Sequence, residues 1–324
     1  MNDNLKIGER KIIELFYDNI TKNPNSLYDD DVSSIKINDN LNVVFNSDML
    51  IEKTDVPKNM NLFNSGRKSV VMNISDFASK GIKPIAFLSS VGIPKSYTIN
   101  DLQTLSKGIN SGANEYGAYI AGGDTNEADS LIINITGFGL DYNNSLITRK
   151  GAQIGDILAV TGLFGNTTIG LMFLTQNIHI IKNIPNIFVE SVYSPNAKLK
   201  EGLLLSKSGV VTSSIDSSDG LAHSLGELSR INNIGFEIDS VPITREAYDY
   251  SRKNNCQDYE IAFYGGEEYE IIFTVSEKNW NIVRNTFASN GLNLYKIGKV
   301  IKEKKIFLSK NNVVLEPTGW EHFV

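Results

Sequence analysis

Apolar residues recur along this chain at two different spacings, and each change of spacing marks an element. From Ile7 to Ile20 they follow a helical period with a polar face opposite, which predicts an amphipathic helix. A short strand is expected near Ser33–Ile37 and a stronger one at Leu41–Phe45. Positions 70, 74, 77 and 78 return to helical spacing, with Gly81 as C-cap and Pro84 as the stop. Leu102, Leu105, Ile109, Ala113 and Tyr116 repeat that spacing. "GAYIAGG" reads as a short buried strand running into a loop, and "LIINITGFGL" as a strand rich in branched residues. Beyond them, strands at "DILAVTG", "FEID" and "YEIIFTV" mix with helices at 196–207, 221–231, 244–253 and 277–289. This mixture predicts an α/β protein of mixed (α+β) type without fixing strand order. Polar and glycine punctuation in "DYNNSLITRKGAQIGD" puts a domain boundary near Ser145, between segments 1–145 and 146–324.

Composition narrows the function classes. The chain has 324 residues, 41% hydrophobic and 21% charged, enough to bury a sizeable core in two domains. Cys256 is the only cysteine, so no internal disulfide is available. A net charge of −6 argues against a nucleic-acid partner. No apolar run is long enough to span a bilayer, and the polar start lacks a signal-peptide core. A cytoplasmic protein with no membrane partner is expected.

Acidic residues at element ends change the picture further. In "IDSSDG", Asp216 closes an apolar lead-in and Asp219 stands just before a helix that starts at Leu221. Ser218 or Asp219 capping that helix is an even-handed alternative to a ligand role. "IAGGDTN" repeats the plan with Asp124, and "VVFNSDML" places Asp48 after an apolar strand. Asp76 forms a polar stripe with Asn73 and Lys80, which by itself reads as a solvated helix face. "LYDDDVSS" by itself reads as a charged surface turn. Five such acidic turns suggest one centre more than five caps. Carboxylates brought together repel unless a cation sits among them, and hard oxygen donors with few His or Cys point to Mg²⁺ or Ca²⁺ rather than zinc. A spread-out set of aspartates suits several Mg²⁺ ions holding a polyphosphate. Gly122 and Gly123 would let backbone N–H groups approach phosphate, and Ser218 would add donors at a helix start.

Other routes to ATP or hydrolytic chemistry are missing. "NSGRKS" lacks the first glycine of a P-loop, and no G-x-G-x-x-G opens a helix after a strand. His179, His223 and His322 are too scattered to suggest a Ser-His-Asp triad.

Taken as an ordered set, "DD" (29–30), "SD" (47–48), "NISD" (73–76), "GGDT" (122–125), "TRKGAQIGD" (148–156), "IDSSDG" (215–220), "GGEEYE" (265–270) and "GWEHF" (319–323) carry a resemblance over nearly the whole chain. The chain resembles the thiamine-monophosphate kinase family, within the ATP-binding superfamily of aminoimidazole ribonucleotide synthetase. The resemblance implies a two-domain fold of that type. Residues 1–145 would bind ATP and Mg²⁺ and pair their sheet across a homodimer, and 146–324 would close over the site. It implies that Asp30, Asn46, Ser47, Asp48, Asp76, Asp124, Asp216 and Asp219 hold clustered Mg²⁺. Gly123, Asp124, Arg149 and Ser218 match ATP-contacting positions, while Glu267 and Trp320 match substrate-contacting ones. Trp320 suits stacking on a flat ring and Glu267 suits pairing with a cationic one, though a buried C-terminal anchor is the plain reading of Trp320. The implied reaction is direct in-line transfer from ATP to thiamine monophosphate, giving thiamine diphosphate.

The chain also departs from the family pattern. Tyr28 replaces a glycine, Ser47 a threonine, and Glu268 an aspartate. Asp55 stands where the family has a substrate-side histidine, where it would repel the acceptor phosphate, pair with the cationic ring, or lie idle on a loop. The alternatives left open are another ATP-using relative, of the aminoimidazole ribonucleotide synthetase or hydrogenase-maturation kind, and a non-enzymatic divalent-metal protein.

Overall fold

Two mixed sheets organise the chain, and one polar helix is pressed between them. The structure, a computed structural model, describes residues 8–175 and 184–321; Ile7, His179, His322 and Phe323 lie outside the described residues. The first sheet contains β1 (Ser26–Leu27), β2 (Ser33–Asn38), β3 (Leu41–Ile51), β4 (Pro84–Ile93), β5 (Tyr119–Glu127) and β6 (Ile132–Tyr142). Helices α1 (Glu9–Tyr17), α2 (Glu52–Asp55), α3 (Leu62–Ser79) and α4 (Ile99–Glu115) belong to the same half. The strand order is β1-β2-β3-β6-β4-β5, antiparallel apart from β4–β5, and α4 is the crossover that a parallel pair requires.

The second sheet runs β13-β12-β9-β11-β7-β10-β8. Its strands are β7 (Ile157–Val160), β8 (Val211–Asp216), β9 (Gly235–Ile238), β10 (Ile271–Val275), β11 (Tyr295–Ile301), β12 (Ile306–Leu308) and β13 (Val313–Val314). Around it lie α5 (Asn166–Thr175), α6 (Asn186–Tyr193), α7 (Leu199–Ser208), α8 (Leu221–Asn232), α9 (Arg245–Asn254), α10 (Asp258–Phe263) and α11 (Trp280–Ser289). One apolar core runs through both halves, joining Val44, Ile74, Phe77 and Ile135 to Ala159, Phe273 and Phe287.

The expected helix around Val70 is real and longer. Asn61 caps it by accepting from the Asn64 N–H at 2.8 Å, and Gly81 ends it in the left-handed region at φ 67°. On the sheet it covers, β6 is glycine at 137, because a Cβ there would lie 2.4 Å from the Phe77 ring. Two strand expectations need correction. The strand from Leu41 continues to Ile51, so Asp48 lies inside β3 rather than after it. "GAYIAGG" is no buried strand ending in a loop, for β5 is an exposed edge strand that carries the whole run on to Glu127. An exposed edge strand with one neighbouring strand needs little apolar pattern. β4 escapes a period-two reading because it is apolar on both faces, with Phe87 buried and Ile85 and Leu88 exposed.

Candidate active site

The polar stripe on α3 is not solvated. Lys68, Asn73, Ser75 and Ser79 on the helix, and Lys80 just after it, are all buried. They are tolerated because the two sheets supply partners on either side. From the first sheet, Asn46 Nδ2 donates to Asp76 Oδ2 at 2.8 Å. From the second, Asp216 Oδ2 accepts from Ser75 Oγ at 2.6 Å and the Ser214 carbonyl accepts from Lys80 Nζ at 2.6 Å. α3 therefore carries Asp76 to the seam where β3 and β8 both bring an aspartate.

At that seam Asp31, Asp76 and Asp216 each offer a carboxylate oxygen, and these oxygens lie within 4.8 Å of one another. In the "DDD" turn Asp29 is exposed, but the Asp30 and Asp31 side chains are only 3% and 1% exposed. Lys80 Nζ bonds both of them, at 2.7 and 2.8 Å. Arg149 donates its backbone N–H to Asp30 and its guanidinium to Asp31. Burial pushes the Asp31 carboxyl up, but Arg149 and Lys80 together outweigh it and hold the group at about 2.

The neighbouring carboxyls are pushed the other way. Burial, then the charges of Asp219 and Asp55, raise Asp48 to about 6. Burial and Asp31 raise Asp216 to about 7 against the opposing Ser75 bond. Asp76 is raised well above the ordinary range by burial, Asp48 and Asp216. The cations present serve Asp30 and Asp31, so the remaining carboxylates outnumber them. A hard divalent cation fits such an all-oxygen donor set.

The loops around this centre hold the other candidates. β8 ends at Asp216, and the bend at 217–219 leads into α8. The N-cap position of α8 is Gly220 rather than Ser218 or Asp219. The Ser218 carbonyl accepts from the Glu267 N–H at 2.6 Å, and the Ser217 carbonyl from the Tyr269 N–H at 2.9 Å, which ties the 265–270 segment to the acidic bend. His223 Nδ1 lies 3.8 Å from Asp219 Oδ2. Trp320 is no buried anchor, being 56% exposed, and its N–H donates to the Asp219 carbonyl at 3.1 Å. Asp55 does not lie on an idle loop either. It ends α2, and its carboxylate accepts from the Ile51 N–H at 2.6 Å.

Two predicted residues stay apart from the centre. Register pairs Asp48 with Ile135, Ile135 with Ser89, and Ser89 with Gly123. Asp124 is one residue further along, so by the two-residue pleat it faces away from α3, as Ser47 does. It also sits three strands from β3, roughly 14 Å at the usual strand separation. Gly123 is required by close approach, since a Cβ would stand 1.8 Å from the Ser89 carbonyl oxygen.

Sequence reasoning missed Asp31, Lys68, Lys80 as a cation partner, and Ser75. Asp31 had a visible signal in the run of three aspartates, but nothing local separates the second from the third. Lys68 and Ser75 are seven residues apart on α3, a spacing that returns to one helix face.

The chain matches the AIR synthase related protein N-terminal domain over residues 29–140 and the corresponding C-terminal domain over 153–311. It is 34% identical to a thiamine-monophosphate kinase of Pyrococcus horikoshii, covering 98% of this chain and 96% of that protein. A thiamine-monophosphate kinase of Nitrosopumilus maritimus is 31% identical, covering 98% and 99%. The fold is similar to that of AaThiL complexed with AMPPCP and TMP, with a TM-score of 0.85, 23% identity, and 98% and 97% of the two chains covered. With these relatives matched end to end and both halves assigned, the chain belongs to the thiamine-monophosphate kinase family.

Proposed function

We propose that this protein is a thiamine-monophosphate kinase that moves the γ-phosphoryl group of ATP directly onto thiamine monophosphate, giving thiamine diphosphate and ADP. The observation that carries this reading is the convergence of Asp31, Asp76 and Asp216 from three separate elements beside Arg149. Asp48, Asp76, Asp216 and Asp219, with Asp31 added, are the residues to hold several Mg²⁺ ions. Bound Mg²⁺ would offset negative charge on the two phosphates. Asn46 orients Asp76, while Asp30 positions Lys80 and the Arg149 backbone.

Arg149 and Ser218, with the N–H groups at the start of α8, bind the ATP phosphates. Glu267 and Trp320 bind the acceptor ring. No general base is assigned, because the acceptor phosphate is already ionised at neutral pH; positioning of the two substrates does the catalytic work. Asp55 acts through its backbone and its α2 cap rather than as a charge facing the acceptor.

Ser47 and Asp124 belong to a second subunit's site. The sheet face they share, away from α3, exposes Met49, Leu88, Tyr119 and Phe138. We assign that face to a homodimer contact, with Asp124 serving the neighbouring site. The domain boundary falls near Ser145. Among the described residues no helix is long and apolar enough to cross a membrane. A cytoplasmic location remains part of the proposal.

The test is incubation of purified protein with ATP, Mg²⁺ and thiamine monophosphate, with products read by mass. Equal amounts of thiamine diphosphate and ADP are expected. ATP turnover on a different acceptor with no thiamine diphosphate removes the assignment. Mixing inactive Asp124→Asn and Asp216→Asn subunits tests the shared site. Re-equilibrated dimers should recover about a quarter of wild-type activity, since half are heterodimers with one intact site of two. No recovery from a mixture shown to exchange subunits refutes the placement of Asp124.

A further inference from the structure

Lys68 sits on α3 with no exposed side-chain surface, and the kinase reading gives it no task. An ammonium in such a place is costly unless it is paired and hydrogen-bonded. Its Nζ donates to Glu267 Oε1 at 2.5 Å and to the Asp55 carbonyl at 2.8 Å. One cation thus links α3, the end of α2 and the 265–270 segment.

Glu267 is held from two further directions. Its backbone is in the left-handed region at φ 63°, and its N–H is bonded to the Ser218 carbonyl at 2.6 Å. One carboxylate oxygen is committed to Lys68. The other, Oε2, is buried and has no hydrogen-bond partner among the described residues. A buried carboxylate oxygen without a donor is unfavourable, and a donor brought by a ligand would satisfy it.

We propose that Lys68 is a positioning residue for acceptor recognition: by holding Oε1 of Glu267, it leaves the buried Oε2 for one N–H donor on an amino-bearing ring of the acceptor. The inference rests on the kinase reading and adds to it a residue and a recognition rule. Lys68 neutralises Glu267, so the pair recognises an amine by hydrogen-bond geometry rather than by net charge. An acceptor with oxygen in place of the amine presents an acceptor to an acceptor and is rejected. The same contact explains why aspartate is tolerated at position 55, since Lys68 uses only its backbone carbonyl.

The experiment compares wild type, Lys68→Met and Lys68→Arg with thiamine monophosphate and with its analogue carrying oxygen in place of the pyrimidine amine. For Lys68→Met, KM for thiamine monophosphate should rise by about tenfold or more, while KM for ATP stays within about twofold. Preference for the amine over the oxygen analogue should shrink, and Lys68→Arg should restore part of it. An unchanged acceptor KM, or a joint rise of both KM values, overturns the proposal and leaves Lys68 a structural strut. If Lys68→Met does not fold, the double variant Lys68→Met/Glu267→Gln removes both charges and should lose the same preference. Retained preference in that variant overturns the proposal. Wild type that makes no thiamine diphosphate overturns the kinase reading and this proposal together, whereas active wild type with an unaffected Lys68→Met overturns this proposal alone.

Discussion

Two groups of buried carboxylates come close where β10 pairs with the end of β8, Ile271 opposite Asp216, and behave differently. Glu268 is raised to about 7 by burial, as Asp216 is. Yet Glu268 accepts from the Gly165 N–H at 2.5 Å and from Thr167 Oγ at 3.1 Å, so it tethers the start of α5. Glu270 accepts from Thr161 Oγ at 2.7 Å and faces Lys198 at 3.0 Å. Each glutamate has its own donors. Asp31, Asp76 and Asp216 instead face one another. A raised carboxyl marks burial in both groups, at Glu268 as at Asp76 and Asp216; carboxylate oxygens that face one another mark a place for a cation.

The sharpest way to break this comparison is Asp216→Asn. Turnover should fall at least about 10²-fold, because the amide keeps the shape and loses the charge. The ligand-free protein should at the same time melt higher, since one of the facing charges is gone. A variant that keeps near-normal turnover shows that the facing carboxylates are not the reactive centre.

On the other side of the comparison, Glu270→Leu should act on stability. It strands Lys198, and urea unfolding should show a loss of about 2 kcal/mol, below the usual cost of breaking a buried pair because Lys198 keeps 27% of its side chain exposed. Turnover per folded molecule should drop far less than in Asp216→Asn. The reverse ranking would erase the distinction between the two groups.

The smallest effect is a pH dependence. Asp48 and Asp216 are raised in the folded state to about 6 and 7, above the carboxyls of the unfolded chain. The folded protein therefore holds more protons between about pH 4 and 7, and the stability this contributes is lost as pH rises through that window. Ligand-free melting should fall from about pH 5 to 8 on this account, and the gain from Mg²⁺ with ATP should grow over the same range. Melting scans along that series check both slopes. A gain that is flat with pH removes the proton–metal competition.

Much of this could be read before folding was considered. The helical spacing around Val70 and the branched run of β6 are local patterns, and local patterns survive in sequence. The aspartates were visible as turns after apolar runs. What failed were judgements about exposure. Asn73, Asp76 and Lys80 read as a solvated stripe because their partners, Asn46 and Ser214 among them, are distant in sequence. For Trp320 the alternative of a buried anchor is the one that goes, since it stays half open beside Asp219. Period-two reasoning would have separated Asp124 from Asp48 only with the register of four strands in hand.

The order of motifs along the chain, the acidic character of its loops and the element types were determined by sequence alone, since they depend on residues close to one another. Which aspartates meet was decided only by the tertiary structure. Asp31, Asp76 and Asp216 come from a turn, a helix and a strand end far apart in the chain, and α3 between two sheets brings them together. The same packing fixed Lys68 on Glu267 across almost 200 residues of intervening chain. Such contacts follow from how whole layers stack, and no local period in the sequence records the stacking.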